Sequence, residues 1–347
     1  MSRKKTGTRY AFLLPFAKTV GFIAIAVLLN CADVPTPASP TRWEKVTDAP
    51  EGAVDLAVTA DDEVWMVGAE DGRAAIWRWD GSRVARAFTY PRGESKFKGI
   101  DARDGGTWAA GWVSESGDQN GILFQYTSDR WEEIKPVPEV TLGFYGVASA
   151  GGAGCWLVNP DKLFRYSDGN WETYAGSDSI AGITRQSGPG VFAWRESGGE
   201  IWAFDGAQWR PENVDSPPDF VHGGFTNGAS SARFSYFESF FMRSDIYYRS
   251  IYRRDDAPAG AGNYDLFFFA PHGPYFYTIA DFAFADDDNG VAVGYLTSVV
   301  WEGGEPHQEI CDESFKTPFA VAALAPGDYW MLSRDEEGRQ FLWRWNK

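Results

Sequence analysis

The residues best suited to chemistry are the run Asp286-Asp287-Asp288-Asn289-Gly290. Clustered carboxylates ahead of a glycine that permits a tight turn are what a hard cation such as calcium needs. This run has one residue fewer before its glycine than an EF-hand loop, and no glutamate follows at the spacing of a bidentate ligand. Asp61-Asp62 and Arg103-Asp104-Gly105-Gly106 stand at the same place in other repeats, so a hairpin turn and no metal site is expected there. The three histidines, His222, His272 and His307, fall in different repeats without a His-x-x-x-His pair, whereas zinc requires three or four close ligands. Carboxylate pairs of the kind used in glycoside hydrolysis abound in a chain with 48 Asp and Glu, and so single out nothing. A Gly-x-Ser-x-Gly elbow, a phosphate loop and a Cys-x-x-Cys pair do not occur. The sequence therefore names no catalytic residue and no cofactor, and favours a protein that is not an enzyme.

The elements that would position any site are a repeated strand and turn. Ile76-Trp77-Arg78-Trp79-Asp80-Gly81 returns as Leu163-Phe164-Arg165-Tyr166-Ser167-Asp168-Gly169, as Ile201-Trp202-Ala203-Phe204-Asp205-Gly206 and as Leu342-Trp343-Arg344-Trp345-Asn346. Alternating large apolar residues that stop at Asp-Gly read as a strand entering a hairpin turn. The turn markers Asp80, Asp129, Asp168, Asp205, Asp255, Glu302 and Asn346 are 37 to 50 residues apart. That period in strand-rich sequence predicts an all-β fold, a seven-bladed β-propeller of four-stranded blades over residues 42–347. Six or eight blades are the alternatives, because residues 232–254 fit the repeat least well. The first unit parses into strands over 55–59, 63–68, 74–80 and 83–89. The last copy ends after a third strand, and Arg42-Trp43-Glu44-Lys45-Val46 resembles the fourth-strand stretch Arg130-Trp131-Glu132-Glu133-Ile134. Residues 42–47 are thus expected beside residues 341–345, closing the ring and leaving no unpaired edge.

Most tryptophans recur at fixed strand positions, which predicts core packing rather than stacking on sugars. Trp112 and Tyr145 fall off the pattern and are candidates for exposure. The connections from fourth to first and from second to third strands share one face and hold the longer segments, Tyr90 to Lys98, Val113 to Asn120, Pro136 to Phe144, Arg195 to Gly199, Pro211 to Asp219 and Ala270 to Tyr277. Variable loops on a rigid scaffold are the usual place of binding. The candidate binding face is accordingly Arg92, Glu94, Lys96, Lys98, Trp112, Glu115, Asp118 and Tyr145.

Residues 1–30 carry five basic residues, no acidic one, and an apolar run from Thr19 to Leu29. That is the pattern of a signal peptide, and the run is shorter than the roughly 20 residues a membrane-spanning helix needs. An uncleaved anchor over Phe12 to Leu29 is the alternative, at the cost of placing Lys18 in the apolar zone. Leu28-Leu29-Asn30-Cys31 resembles a bacterial lipobox, in which Cys31 would be lipidated, although Asn30 departs from its small-residue preference. Residues 31–41 hold three prolines and read as a tether. Without residues 1–30, 27 Lys and Arg stand against 48 Asp and Glu, a net of −21. A body so acidic excludes nucleic acid as a partner. No disulfide is predicted between Cys155 and Cys311.

With its aromatic strands, Asp-Gly turns and Trp-x-Val-Gly strands, the chain resembles Trp-rich propellers of exported bacterial proteins, including the kelch and galactose-oxidase-like group. Ala285 to Gly294 is similar to repeats of photosystem-assembly-type and sialidase-like propellers. The WD40 pairs, the kelch double glycine in register and a full sialidase Asp-box are missing, so the resemblance implies a fold and no activity. The expected function is a membrane-tethered, non-enzymatic recognition module of the bacterial cell envelope that binds a protein or glycan. The alternatives are an extracytoplasmic carbohydrate-active enzyme and a structural subunit of an envelope complex.

Overall fold

A computed structural model describes residues 42–345 except 61, 104–105, 116, 136, 138–141, 151–153, 176–179, 186–189, 196–199, 205–207, 215–220, 232, 244–245, 256–263, 271–278, 296 and 311–316. Cys31, the expected signal peptide and the tether lie outside the described residues, as do Cys311 and most of the segments 136–144, 195–199, 211–219 and 270–277.

The chain opens with β1 (Trp43–Ala49), which belongs to the last blade. Blade 1 holds β2 (Ala53–Ala60), β3 (Glu63–Glu70), β4 (Arg73–Trp79) and β5 (Val84–Thr89). Blade 2 holds β6 (Glu94–Arg103), β7 (Gly106–Glu115), β8 (Asp118–Thr127) and β9 (Arg130–Glu133). Blade 3 is β10 (Gly146–Ser149), β11 (Gly154–Val158), β12 (Lys162–Ser167) and β13 (Asn170–Ala175). Blade 4 is β14 (Ile180–Arg185), β15 (Val191–Arg195), β16 (Glu200–Phe204) and β17 (Trp209–Asn213). Blade 5 is β18 (Val221–Ser230), β19 (Phe234–Arg243), β20 (Ile246–Asp255) and β21 (Tyr264–Ala270). Blade 6 is β22 (Ile279–Phe284), β23 (Gly290–Gly294), β24 (Thr297–Glu302) and β25 (Glu305–Ile310). Blade 7 is β26 (Thr317–Ala325), β27 (Asp328–Arg334) and β28 (Gln340–Trp345), with β1 as its outer strand. Seven antiparallel four-stranded sheets make a seven-bladed β-propeller, all-β as the repeat period predicts.

The turns explain the recurring Asp. Asp80 Oδ1 accepts N–H bonds from Ser82 (3.0 Å) and Arg83 (3.0 Å), and Gly81 holds φ +86°. Asp286 does the same for Asp288 (2.9 Å) and Asn289 (2.8 Å), while Asp287 Oδ1 accepts from Ser231 Oγ (2.6 Å) and from the Arg233 N–H (3.0 Å). The acidic run of blade 6 is thus a hairpin turn that also ties blade 6 to blade 5, with the Asp286 and Asp287 carboxylates used on internal donors. The glycine of the Trp-x-x-Gly strands has a steric cause. A Cβ on Gly68 would lie 1.9 Å from the carbonyl oxygen of Gly52, and one on Gly111 2.0 Å from that of Lys96.

The core lies between blades. In the first three blades a second-strand tryptophan packs on aromatics of the next blade's outer strands: Trp65 on Tyr126 (4.7 Å) and Trp131 (5.3 Å), Trp108 on Tyr166 (5.8 Å), and Trp156 on Phe204 (4.6 Å) and Trp209 (5.5 Å). All three indoles are buried, as core packing requires. Small residues nearer the axis and rings farther out fill a wedge that widens outward. Nearer the axis, carboxylates staple neighbouring first strands. Asp55 Oδ2 accepts the Ile100 N–H (2.9 Å), Asp101 Oδ2 the Ser149 N–H (2.7 Å) and Asp281 Oδ2 the Val321 N–H (2.7 Å).

β1 pairs antiparallel with β28, Trp43 facing Trp345 and Ala49 facing Gln340, with a bulge between Lys45 and Thr47. This is the pairing expected of residues 42–47. Blade 5 conforms to the plan as well, because its unusual arginines are absorbed by the scaffold. Arg254 makes two bonds to Glu212 of blade 4 (2.8 and 2.7 Å), and Arg253 stacks over Phe234 (4.5 Å) and Phe267 (5.2 Å).

Candidate functional site

The second-to-third and fourth-to-first connections share one face, as the strand order requires. At its centre is the mouth of a channel enclosed by the first strands, of which a volume of about 460 Å³ is lined by their later residues, such as Asp55 to Thr59, Ile100 to Arg103 and Val321 to Leu324, away from this face. At the far end of those strands Arg103 crosses from blade 2 to blade 5, reaching Ser230 Oγ (3.3 Å) while its Nε lies 3.5 Å from Asp101 Oδ1. The channel carboxylates Asp55, Asp101 and Asp281 are occupied as staples. Burial pushes Asp55 up to about 8 against the N–H bond from Ile100, with the charge of Asp281 adding to the rise.

Blade 2 differs from the expected layout. Glu94 to Lys98 belong to β6, and Val113 to Glu115 and Asp118 to Asn120 belong to β7 and β8, so both segments are mostly strand rather than connecting loop. Glu115 pairs directly with Asp118 across the hairpin. The polar residues that suggested loops are the exposed rim of a hairpin of ten-residue strands, longer than those of blades 3, 4 and 6. A half-solvated strand end carries the same residue types as a loop.

Of the eight predicted residues the structure gathers three at the mouth. Tyr145, just before β10, is exposed (39 %), and Lys98 on β6 places its Nζ 5.9 Å from the Tyr145 ring centroid. Lys96, two residues earlier, is half-buried and faces Trp112 across the β6–β7 pair. Lost hydration pulls the Lys96 amine below its usual range, and the charges of Lys98 and Arg334 add to the effect. Trp112 itself is half-buried rather than exposed and serves as a floor, since a Cβ on Gly143 would lie 2.3 Å from its Cβ. Arg92 is turned to the scaffold, paired with Glu133 (3.1 Å) and stacked over Tyr90 (5.6 Å). Glu94, Glu115 and Asp118 stand exposed on the rim of blade 2.

Sequence reasoning missed the partners of these residues. Tyr145 lines a hollow of about 450 Å³ with Pro160, Ile180, Ala181, Phe225 and Thr226, from blades 3, 4 and 5. Thr226 donates to Glu238 Oε2 (2.6 Å), and Arg249 Nη1 reaches Glu238 Oε1 (2.9 Å) and Thr226 Oγ1 (3.1 Å). Burial pushes Glu238 up to about 7 against the charge of Arg249. Three residues before Tyr145, Leu142 is 46 % exposed with φ +76°, a left-handed conformation uncommon for a leucine. Gly143 continues the turn at φ +72°, and the Phe144 N–H donates to the Gly111 carbonyl (3.1 Å). On the blade 7 side Arg334 is exposed at the end of β27, its guanidinium 5.4 Å from the Phe319 ring centroid. Tyr295, in the turn between β23 and β24, adds another exposed ring (46 %) on this face. The result is a hollow of mixed polar and apolar surface beside a cationic sector, both on a rigid ring.

No protein-family model matches the chain, and no curated protein matches it. Among solved structures it is similar to YCF48 bound to a D1 peptide, with a TM-score of 0.64 and 14% identity, over 90% of this chain and 100% of that one. It is also similar to the β-propeller domain of Cps50 (Swd1) from Myceliophteria thermophila (TM-score 0.63, 13% identity, 87% of this chain and 99% of that one). The WD40 propeller of Doa1 gives a TM-score of 0.59 at 11% identity, over 87% of this chain and 96% of that one. Identities this low carry the fold, a β-propeller spanning nearly the whole of each partner.

Proposed function

We propose that this protein is a non-enzymatic recognition module, lipid-anchored through Cys31 at the bacterial cell envelope, that binds a protein through the mouth of its propeller. The observation that carries the reading is the hollow beside Tyr145. It is a concave feature lined by Tyr145, Pro160, Ile180, Ala181, Phe225 and Thr226, with polar and apolar surface, positioned by three blades of a stapled ring rather than by one loop. Exposed aliphatic and aromatic side chains around a preformed depression are what a peptide or protein side chain would fill. A propeller of similar shape, YCF48, is described as bound to a D1 peptide, which makes a peptide ligand a reasonable occupant of this architecture. The anchor rests on the lipobox-like Leu28 to Cys31 and the proline-bearing residues 31–41.

Crosslinking and affinity purification from the native envelope tests the recognition reading. The combined change Leu142→Ala and Tyr145→Ala should remove the captured partner without changing the melting temperature, and undiminished capture sinks the reading. Cys31→Ser tests the anchor separately: the protein should move from the membrane fraction to the soluble one.

A further inference from the structure

The charge pattern at the mouth runs against that of the rest of the chain. Arginines elsewhere are largely committed to carboxylates, as in Arg42–Glu302 (3.1 Å), Arg92–Glu133 (3.1 Å), Arg195–Glu200 (3.0 Å), Arg249–Glu238 (2.9 Å) and Arg254–Glu212 (2.7 Å). Lys96, Lys98 and Arg334 make no ion pair among the described residues. They come from blades 2 and 7, and the charges of Lys98 and Arg334 both act on the Lys96 amine, in a chain whose formal charge is −16. Three uncompensated cations with acid available everywhere else are an unfavourable arrangement for the free protein, and an anionic ligand relieves it. Tyr145 joins this sector to the hollow, since its ring lies beside Lys98 and also forms the hollow's wall.

We propose that the mouth binds an acidic peptide segment, its carboxylates on Lys96, Lys98 and Arg334 and an adjoining apolar side chain in the hollow beside Tyr145. This rests on the recognition reading above and names its ligand class. A peptide is favoured over a long polyanion because Glu94, Glu115 and Asp118 stand exposed on the rim of blade 2. An extended phosphate or sulfate chain leaving the cationic sector would meet them, whereas a short carboxylate-bearing segment ends inside it. Phe319 and Tyr145 flank the cations with ring faces that suit the aliphatic parts of such a segment.

The test uses the full chain in detergent and fluorescence anisotropy with short labelled peptides in which Asp and Glu alternate with Leu, Phe or Tyr. Matched peptides carrying Asn and Gln, and a sulfated oligosaccharide, are the comparison probes. The acidic peptides should bind about tenfold or more tightly than the neutral ones, with an advantage that shrinks as salt is raised. Lys96→Gln, Lys98→Glu and Arg334→Glu should each abolish most of that advantage, and Tyr145→Ala should weaken acidic and neutral peptides alike. Melting temperatures establish that each variant is folded, and the salt dependence of the unaltered protein supplies a readout that needs no variant. Equal binding of acidic and neutral peptides, still lost in Tyr145→Ala, overturns the acidic assignment while leaving the recognition reading standing. Preference for the sulfated oligosaccharide overturns the peptide assignment, and so does failure of every peptide to bind, while the recognition reading stands or falls on the envelope capture described above.

Discussion

Replacing Trp43 by alanine should open the ring at the seam where its first and last strands pair. Trp43 is 3 % exposed, its ring meets Trp345 edge to face at 5.4 Å, and its Nε1–H donates to Ser298 Oγ of blade 6 at 3.0 Å. Arg42, beside it, pairs with Glu302 of blade 6 and stacks over Trp345 at 4.5 Å. Truncating a buried tryptophan costs about 3–5 kcal/mol, within which the aromatic pair accounts for about 1 kcal/mol and the hydrogen bond for a similar amount. The perturbation falls on the contact that joins blade 7 to blade 6 and the first strand to the last, so cooperativity should suffer along with stability. Urea unfolding followed by circular dichroism and by fluorescence should show a lower midpoint, with the two transitions separating as one side of the ring frays. Trp43→Phe keeps the ring stacking and should cost about 1 kcal/mol, and adding Ser298→Ala to it should cost less than the two single changes together. A loss below about 1 kcal/mol for Trp43→Ala, with coincident transitions, would refute the view that β1 is the clasp.

Two further outcomes follow from the scaffold. The carboxyl of Asp55 binds its proton more tightly in the folded protein, near 8 against an ordinary 3.8, so stability should be greatest below pH 4 on this group's account and fall as pH rises toward 8. Asp55→Asn, which retains an acceptor for the Ile100 N–H, should flatten that part of the melting-temperature profile, and an unchanged slope would contradict the assignment. Gly68→Ala should destabilise by about 1–3 kcal/mol or more because its Cβ meets the rigid Gly52 carbonyl. In chemical denaturation a neutral result there would show that the first strand can yield.

Much of the scaffold was legible because its signals are local and repeated. Each Asp-bearing turn is completed within three or four residues, and each Trp-x-x-Gly strand meets the same carbonyl approach, so one unit teaches the others. Closure was legible for a different reason: the Arg-Trp-Glu of residues 42–44 has the look of a fourth strand, and the last blade had none. The candidate site was legible only in part. Lys96, Lys98 and Tyr145 were found from blade 2 and the start of blade 3, but Arg334, Phe319, Phe225, Thr226 and Pro160 were not. A propeller mouth takes one or two residues from each blade, so its members are separated by a whole repeat or more and leave no pattern of their own. The extent of β7 and β8 was missed because an exposed strand rim and a loop are equally polar. The role of Trp112 was missed because its cover, Gly143, lies in another segment.

The pairing of β1 with β28 also sets an order of events. β1 is synthesised before any other strand of the ring and its partner after all of them, so the pairing of Trp43 with Trp345 must await nearly the whole chain. Loop-closure entropy grows only slowly with length, which makes the wait a matter of time more than of equilibrium. During it β1 is a strand without a partner, exposed to wrong pairing. Its composition suits that interval: Glu44, Lys45 and Asp48 keep charge on the strand, and only Trp43 and Ala49 at its ends are buried once the ring is complete.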